Sequence, residues 1–119
     1  MEVQIFGVKK SADTRKALRF FAERRIKTHF VDFTERAASP SELRRFAQRY
    51  GIDALIDRDS PSYASLGMRS ASLSEERWLD KLTAEPLMLR MPLVRQIGQG
   101  AKGLTIGLAE DEWRTWTTS

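Results

Sequence analysis

The hydroxyl groups of Ser11 and Thr14 lie at the start of the first predicted helix, where a side chain could bind a ligand or take part in a reaction. Ser11 follows a turn at residues 7–10 and opens a helical pattern, so the N–H groups of the first helical turn face this loop. The partial positive charge of a helix N-terminus favours anions and lowers the pKa of a cysteine placed there. A serine hydroxyl stays protonated at neutral pH, and the single histidine, His29, falls in another predicted strand. The position therefore predicts a helix cap, with an anion or a partner as its candidate ligand.

The absence of cysteine excludes disulfides, thiolate metal sites and every cysteine-based mechanism. One histidine cannot build a metal centre without help from carboxylates, so we expect no metal and no cofactor. The net charge is +4, and basic clusters such as Arg24-Arg25 with Lys27 are interleaved with Asp and Glu. This pattern indicates solvated helix faces, and we expect no direct binding to nucleic acid.

The length and composition are those of one globular domain. The 119 residues include 41% hydrophobic and 30% charged residues, which suits one core and not two. No apolar run is long enough to span a bilayer, and no signal peptide precedes the first strand. We therefore expect a single domain at residues 1–119, in the cytoplasm and without a membrane partner, in which residues 67–71 are a linker.

The first third of the chain has the pattern of a strand–helix–strand unit. Residues 3–6 are predicted to form a buried strand, residues 11–21 a helix, and residues 29–33 a second strand. One side of the helix is predicted to consist of Ala17, Leu18 and Phe21, with Thr14 near the start of the helix. Because the helix is long enough for a crossover, the two strands should be parallel.

Helices then follow before two further strands. Ser39-Pro40-Ser41-Glu42 is a capping box with proline at the first helical position, and Gly51 ends that helix. The apolar positions at helical spacing in this segment are Leu43, Phe46, Ala47 and Tyr50. Short helical turns are predicted at residues 52–56 and 62–66. A longer helix, capped by Ser72 or Ser74, is predicted through Trp78, Leu79 and Leu82, and a short apolar turn at residues 86–89.

The end of the chain predicts a hairpin and a closing helix. Residues 90–94 lead into a third strand, a glycine-rich loop follows, and residues 104–106 return as a fourth strand. The glycines lack the Gly-Lys-Ser/Thr pattern of a phosphate loop, so turn geometry explains them better. Residues 111–117 are predicted to form a helix whose Trp113 and Trp116 belong to the core.

This order of elements resembles an α/β thioredoxin-like fold: a four-stranded mixed sheet flanked by helices, with a helical insertion between strands two and three at about residues 39–88. The sequence is similar to the ArsC-like family, which includes arsenate reductases, the Spx regulators and small reductase-like proteins. The similar segments are Ile5-Phe6-Gly7-Val8-Lys9-Lys10, Arg15-Lys16-Ala17, Gly51-Ile52-Asp53-Ala54-Leu55, Leu89-Arg90-Met91-Pro92 and Ile106-Gly107-Leu108.

The resemblance implies that the reactive residues of the family have been replaced. The family's cysteine nucleophile corresponds to Ser11, and the second cysteine of Spx-like members corresponds to Thr14. The family's oxyanion-binding arginine, immediately before the hairpin proline, corresponds to Met91. We therefore expect no catalytic residue and no redox catalysis.

The resemblance also implies a ligand groove. Pro92 corresponds to a proline that thioredoxin folds hold in cis, and a cis bond would bring Met91 beside the Ser11 loop. Arg90, one position early on a strand edge, and Arg58, near another family arginine, are candidate binding residues. The full predicted binding set is Lys10, Ser11, Ala12, Asp13, Thr14, Arg15, Arg58, Arg90, Met91 and Pro92.

Three functions follow from this resemblance. The first is a non-catalytic binding or regulatory protein, whose partner by analogy with Spx belongs to the transcription machinery. The second is a glutathione-binding or small-anion-binding protein, or a glutathione-dependent thiol or arsenate reductase-like enzyme if Ser11 replaces a native cysteine. The third is a subunit of an oligomer or complex, which the sequence does not separate from the first.

Overall fold

Within residues 1–68 and 72–118, which the computed structural model describes, four strands form one mixed sheet. They are β1 (Glu2–Gly7), β2 (Lys27–Asp32), β3 (Leu93–Ile97) and β4 (Leu104–Ile106), in the order β2-β1-β3-β4. β1 is parallel to β2 and antiparallel to β3, which is antiparallel to β4. This confirms the predicted mixed sheet and the parallel first pair, although β2 begins earlier than predicted and ends before Phe33.

The chain divides into two compact units. The first comprises Met1–Arg36 and Met91–Ser119 and contains the whole sheet, and the second comprises Ala37–Arg90. A single domain with an insertion at about residues 39–88 stays a prediction. Residues 69–71 of the predicted linker lie outside the described residues.

Two helices of the first unit cover an apolar cluster on the sheet: α1 (Ala12–Glu23), and near the C-terminus the helix Glu110–Thr117, which is labelled α5 below. The buried members of this cluster are Val3, Ile5, Ala17, Phe20, Phe21, Val94 and Trp113. The Trp113 ring lies 5.4 Å from that of Phe20 and 5.3 Å from that of Phe21, measured between centroids. The core position predicted for Trp113 is confirmed, and Trp116 is partly buried against the same cluster.

The buried face of α1 differs in part from the prediction. Ala17 and Phe21 are buried as expected, and so is Thr14 near the start of the helix, but Leu18 is only partly buried and Phe20 is buried instead. Phe20 packs edge-on against Phe21 with centroids 5.1 Å apart. Phe20 therefore takes the buried position that was predicted for Leu18.

The second unit contains α2 (Pro40–Tyr50), α3 (Pro61–Ser65) and α4 (Glu75–Ala84), with 3₁₀ turns at Ile52–Leu55 and Pro86–Met88. The capping box of α2 is present in both directions, since the Ser39 hydroxyl accepts from the Glu42 N–H and a Glu42 carboxylate oxygen accepts from the Ser39 N–H. Ser74, and not Ser72, caps α4. No helix in residues 1–68 and 72–118 combines the length and the apolar character needed to cross a membrane.

α2 contacts α4 and the turn Ile52–Leu55, and its predicted apolar positions are buried with one exception. Leu43, Phe46 and Ala47 of α2 are buried. Tyr50 was grouped with them by spacing, but its exposed fraction is 42%. It is the last residue of α2, immediately before the terminating Gly51, so the spacing continues past the packed part of the helix.

Candidate functional site

The loop between β1 and α1 places Ser11 at the cap of the helix. The Ser11 N–H donates to the Val8 carbonyl over 3.1 Å, which closes the turn. The Ser11 hydroxyl oxygen accepts from the Thr14 N–H over 3.2 Å, and the Ser11 carbonyl accepts from the Arg15 N–H. The predicted N-cap is therefore confirmed. Capping alone is a sufficient structural role for this hydroxyl.

Thr14 is enclosed against β1. Its exposed fraction is 0%, and its Oγ1 has no hydrogen-bond partner among the described residues. A Cβ on Gly7 would lie 2.5 Å from Thr14 Oγ1 and 2.8 Å from its Cγ2. Glycine is thus required at the end of β1 for Thr14 to pack there. Thr14 belongs to the predicted binding set, but its side chain is occupied by this contact and closed to solvent.

The exposed part of the loop carries charges of both signs. Lys10 and Arg15 are exposed, and Arg15 Nη1 donates to the Lys9 carbonyl over 2.7 Å, which ties the side chain to the loop. Ala12 is exposed and Asp13 is half-buried in the first turn of α1. The carboxylate of Asp13 offsets part of the positive field of the helix N-terminus.

Asp32 adds a second carboxylate at this end of the sheet, because it pairs in register with Gly7. Thr34 donates its backbone N–H and its hydroxyl to Asp32 Oδ1 over 2.9 and 2.8 Å. These hydrogen bonds, the backbone one foremost, lower the pKa of the Asp32 carboxyl, so it stays ionised at neutral pH.

Met91 and Pro92 lie at the same end of the sheet as the Ser11 loop. Phe6, near the end of β1, pairs with Leu93 at the start of β3, and the Gly107 N–H donates to the Pro92 carbonyl over 2.8 Å. The Met91–Pro92 peptide bond is cis, as predicted. Pro92 is buried and Met91 is half-buried. Their joint use as a ligand groove stays a prediction.

Arg58 and Arg90 belong to the second unit, where both guanidinium groups have partners. Arg58 Nη1 donates to the Tyr63 hydroxyl over 2.6 Å, and its Nη2 donates to Asp53 Oδ1 over 3.1 Å. Arg90 Nε donates to the Ile56 carbonyl over 3.3 Å. The prediction that Arg90 lies on a strand edge is wrong, because β3 begins only at Leu93.

No group of three or more His, Asp or Glu side chains among residues 1–68 and 72–118 is arranged to hold a metal ion. Ser11, Thr14 and Asp13 offer oxygen atoms only singly: Ser11 as a helix cap, Thr14 as a buried packing group and Asp13 as a half-buried carboxylate. The described site can therefore cap, bind and orient, and its chemistry is that of hydrogen bonds and charges.

The effect of the helix N-terminus on this position can be measured with a thiol. In the Ser11→Cys variant we expect the thiol pKa to fall below its ordinary value of about 8.5, because the first-turn N–H groups of α1 stabilise a thiolate. Ser65→Cys, at the exposed last position of α3, is the matched control and should titrate near that value. The rate of alkylation by iodoacetamide as a function of pH gives both pKa values. Equal pKa values for the two thiols would show that the N-terminus of α1 does not stabilise a thiolate at position 11.

A second concave surface, which the sequence did not predict, lies between α1 and α5. This α1–α5 groove has a volume of about 310 Å³ and is lined by the cations Lys16, Arg19, Arg24 and Arg114, with Phe20, Glu23 and Glu110. Of its lining residues, the sequence predicts a solvated face only for the basic cluster that contains Arg24. The i, i+3 spacing of its α1 residues was a visible signal, but the contribution of α5 was not, since it joins residues about ninety positions apart.

Comparison with known proteins gives consistent results. A model described as the ArsC family matches residues 6–116. A protein of Haemophilus influenzae, described only as uncharacterized, is 23% identical over 113 residues, with coverage of 94% of this chain and 96% of that protein.

Two solved structures share the fold. The YFFB (PA3664) protein superposes with a TM-score of 0.84 at 20% identity, with coverage of 98% of this chain and 99% of that chain. An arsenate reductase from Vibrio cholerae superposes with a TM-score of 0.69 at 23% identity, with coverage of 79% and 82% of the two chains. These similarities confirm the predicted fold.

Proposed function

The chain belongs to the ArsC family, and we propose that it acts in the cytoplasm as a non-catalytic binding protein on this scaffold. The observation that carries the proposal is the Ser11 hydroxyl, which caps α1 at the position that corresponds to the family's cysteine. The chain has no cysteine elsewhere that could take over this role.

Reduction of arsenate or of a disulfide requires a sulfur nucleophile. The thiolate attacks the oxyanion or the disulfide, and a second thiol then resolves the covalent adduct. A serine oxygen forms no disulfide, and the only histidine of the sequence, His29, lies in β2 and not in the Ser11 loop. The chain therefore has no thiol that could be oxidised in such a reaction.

The positions implied for oxyanion binding support the same conclusion. Met91, at the place of the family's arginine, has no charge. Arg58 is engaged by Tyr63 and Asp53, and Arg90 by the Ile56 carbonyl. Moving either guanidinium to an anion would break hydrogen bonds that the second unit already makes. An enzyme adapted to arsenate would be expected to keep guanidinium groups free to bind the oxyanion.

The partner that we propose follows from the resemblance to Spx-like proteins. It is a component of the transcription machinery, and the C-terminal domain of the RNA polymerase α subunit is the candidate to test. Titration of this domain against the full chain should give a dissociation constant of about tens of micromolar or tighter. A flat titration by calorimetry and by NMR chemical shifts would contradict this choice of partner.

A second candidate function is binding of glutathione or a small anion at the N-terminus of α1. It is favoured by the exposed first turn, where Ala12 and Asp13 present backbone N–H groups beside the Arg15 guanidinium. It is opposed by the Asp13 side chain in the first turn of α1 and by the Asp32 carboxylate at the same end of the sheet, since the hydrogen bonds from Thr34 lower the pKa of Asp32 and its negative charge repels an anion. Calorimetry with glutathione and with arsenate separates the candidates, because only the second predicts heat of binding.

A further inference from the structure

The α1–α5 groove carries positive charge that its surroundings do not neutralise. Lys16 and Arg19 are exposed on α1, and neither side chain has an ion pair or a hydrogen bond with a residue in the described ranges 1–68 and 72–118. They stand three positions apart and therefore lie on the same face of the helix. Two uncompensated cations at the rim of a concave surface are a feature that an anionic ligand would use.

The other two cations of the groove are already held in place. Arg24 Nη1 donates to the Phe20 carbonyl over 3.0 Å, and its guanidinium lies 3.6 Å from the centre of the Phe20 ring. Arg114 is paired with Asp111 over 2.7 Å and with Glu110 over 3.5 Å. Because these two side chains are already restrained, they lose little rotamer freedom when a ligand binds, and the entropic cost of binding is reduced.

The carboxylates of the groove restrict which anion fits. Glu23 and Glu110 stand among the four cations, so negative and positive groups are interleaved along the surface. A nucleic-acid backbone presents a continuous row of phosphates and would meet both carboxylates. An acidic peptide places its carboxylates at intervals and can pair each with one cation while its amide groups pass the glutamates.

We propose that the α1–α5 groove is a docking surface for an acidic segment of a protein partner. The inference rests on the proposed function, because it names the chemistry of the partner and a surface that receives it. It assigns Lys16 and Arg19 as the residues that pair with the carboxylates of the partner. It places the contact on the first unit alone, on the part of α1 from Lys16 onward, so the lining of the groove does not include the Ser11 loop.

The test uses the full chain and a fluorescein-labelled peptide that repeats Asp-Glu-Ser, followed by fluorescence anisotropy. The peptide that repeats Asn-Gln-Ser is the neutral control. We expect the double variant Lys16→Glu/Arg19→Glu to bind the acidic peptide about tenfold or more weakly, since two exposed ion pairs become repulsions. The matched variant Arg45→Glu/Arg77→Glu changes two exposed arginines of the second unit by the same charge and should bind like the unmodified chain.

Each of the other outcomes of the binding experiment would overturn the inference. Equal loss in both double variants, binding of the neutral peptide, or no binding of the acidic peptide at low salt would overturn the inference. Tighter binding of a single-stranded oligonucleotide, lost in Lys16→Glu/Arg19→Glu, would replace it with a nucleic-acid site. If the first double variant fails to fold by circular dichroism, the salt dependence of binding by the unmodified chain takes its place, and affinity that does not fall with salt overturns the inference. The proposed function is tested separately by turnover, so a failure of peptide docking without turnover leaves it standing.

Discussion

Replacing Trp113 by alanine should lower the free energy of unfolding by about 3 to 5 kcal/mol, the largest effect that we expect from one substitution in the first unit. The indole is fully buried and contacts Phe20 and Phe21 of α1 edge-on or tilted. Its removal would leave a cavity between α5, α1 and the sheet, because the backbone of two helices cannot collapse to fill it. Urea unfolding followed by far-UV circular dichroism measures the loss.

The hydrogen bond of this indole can be separated from its packing. Trp113 Nε1–H donates to Thr105 Oγ1 over 2.7 Å, and Thr105 is itself only 3% exposed. Trp113→Phe keeps most of the ring but leaves the threonine hydroxyl without its donor, and should cost about 1 to 3 kcal/mol. In Trp113→Phe/Thr105→Val the cost should be less than the sum of the two single changes. Strict additivity would show that the hydrogen bond contributes nothing.

Replacing Gly7 by alanine should destabilise the chain by about 1 to 3 kcal/mol, although the change adds a single methyl group. The new Cβ would lie 2.5 Å from Oγ1 and 2.8 Å from Cγ2 of Thr14, distances that real contacts do not reach. Thr14 is fully buried and cannot swing out, so β1 or the start of α1 must move. The same unfolding measurement reports the cost.

Thr14→Ala provides the control for this prediction. Alone it should change stability little, because the lost methyl contact is offset by removal of a buried hydroxyl that has no described partner. Combined with Gly7→Ala it should recover most of the lost stability, since the two clashing atoms are gone. A double variant no more stable than Gly7→Ala would show that the clash is not the cause.

Local signals predicted most of the fold. Ser11 and the Ser39–Glu42 capping box gave the starts of α1 and α2 because a cap is a contact over three residues. The hairpin and the closing helix followed from glycine positions and apolar spacing. Phe20 was missed because helical spacing alone does not show which aromatic ring faces a distant tryptophan.

For the candidate site, the sequence predicted which residues would take part but not which partners their side chains contact. The sequence placed Arg58 and Arg90 near a family motif, but their partners depend on Asp53, Tyr63 and the Ile56 carbonyl, which side-chain geometry decides. The α1–α5 groove depends on the packing of two helices from opposite ends of the chain. Neither the partners of these arginines nor the groove follows from the spacing of residues, because both depend on contacts between segments brought together by folding. Ser11 was the exception, since its cap was predicted correctly, while its correspondence to the family's cysteine is implied by the resemblance alone and stays a prediction.

The central claim is that the scaffold persists without the sulfur chemistry, and the most direct test is a steady-state turnover assay of the pure chain. Arsenate and a glutathione mixed disulfide are supplied with glutathione and glutaredoxin, and NADPH oxidation is followed through glutathione reductase. The account predicts rates equal to those of the protein-free blank at every concentration of the chain, because Ser11 cannot form a sulfur adduct. A rate that rises in proportion to the concentration of the unmodified chain would contradict it.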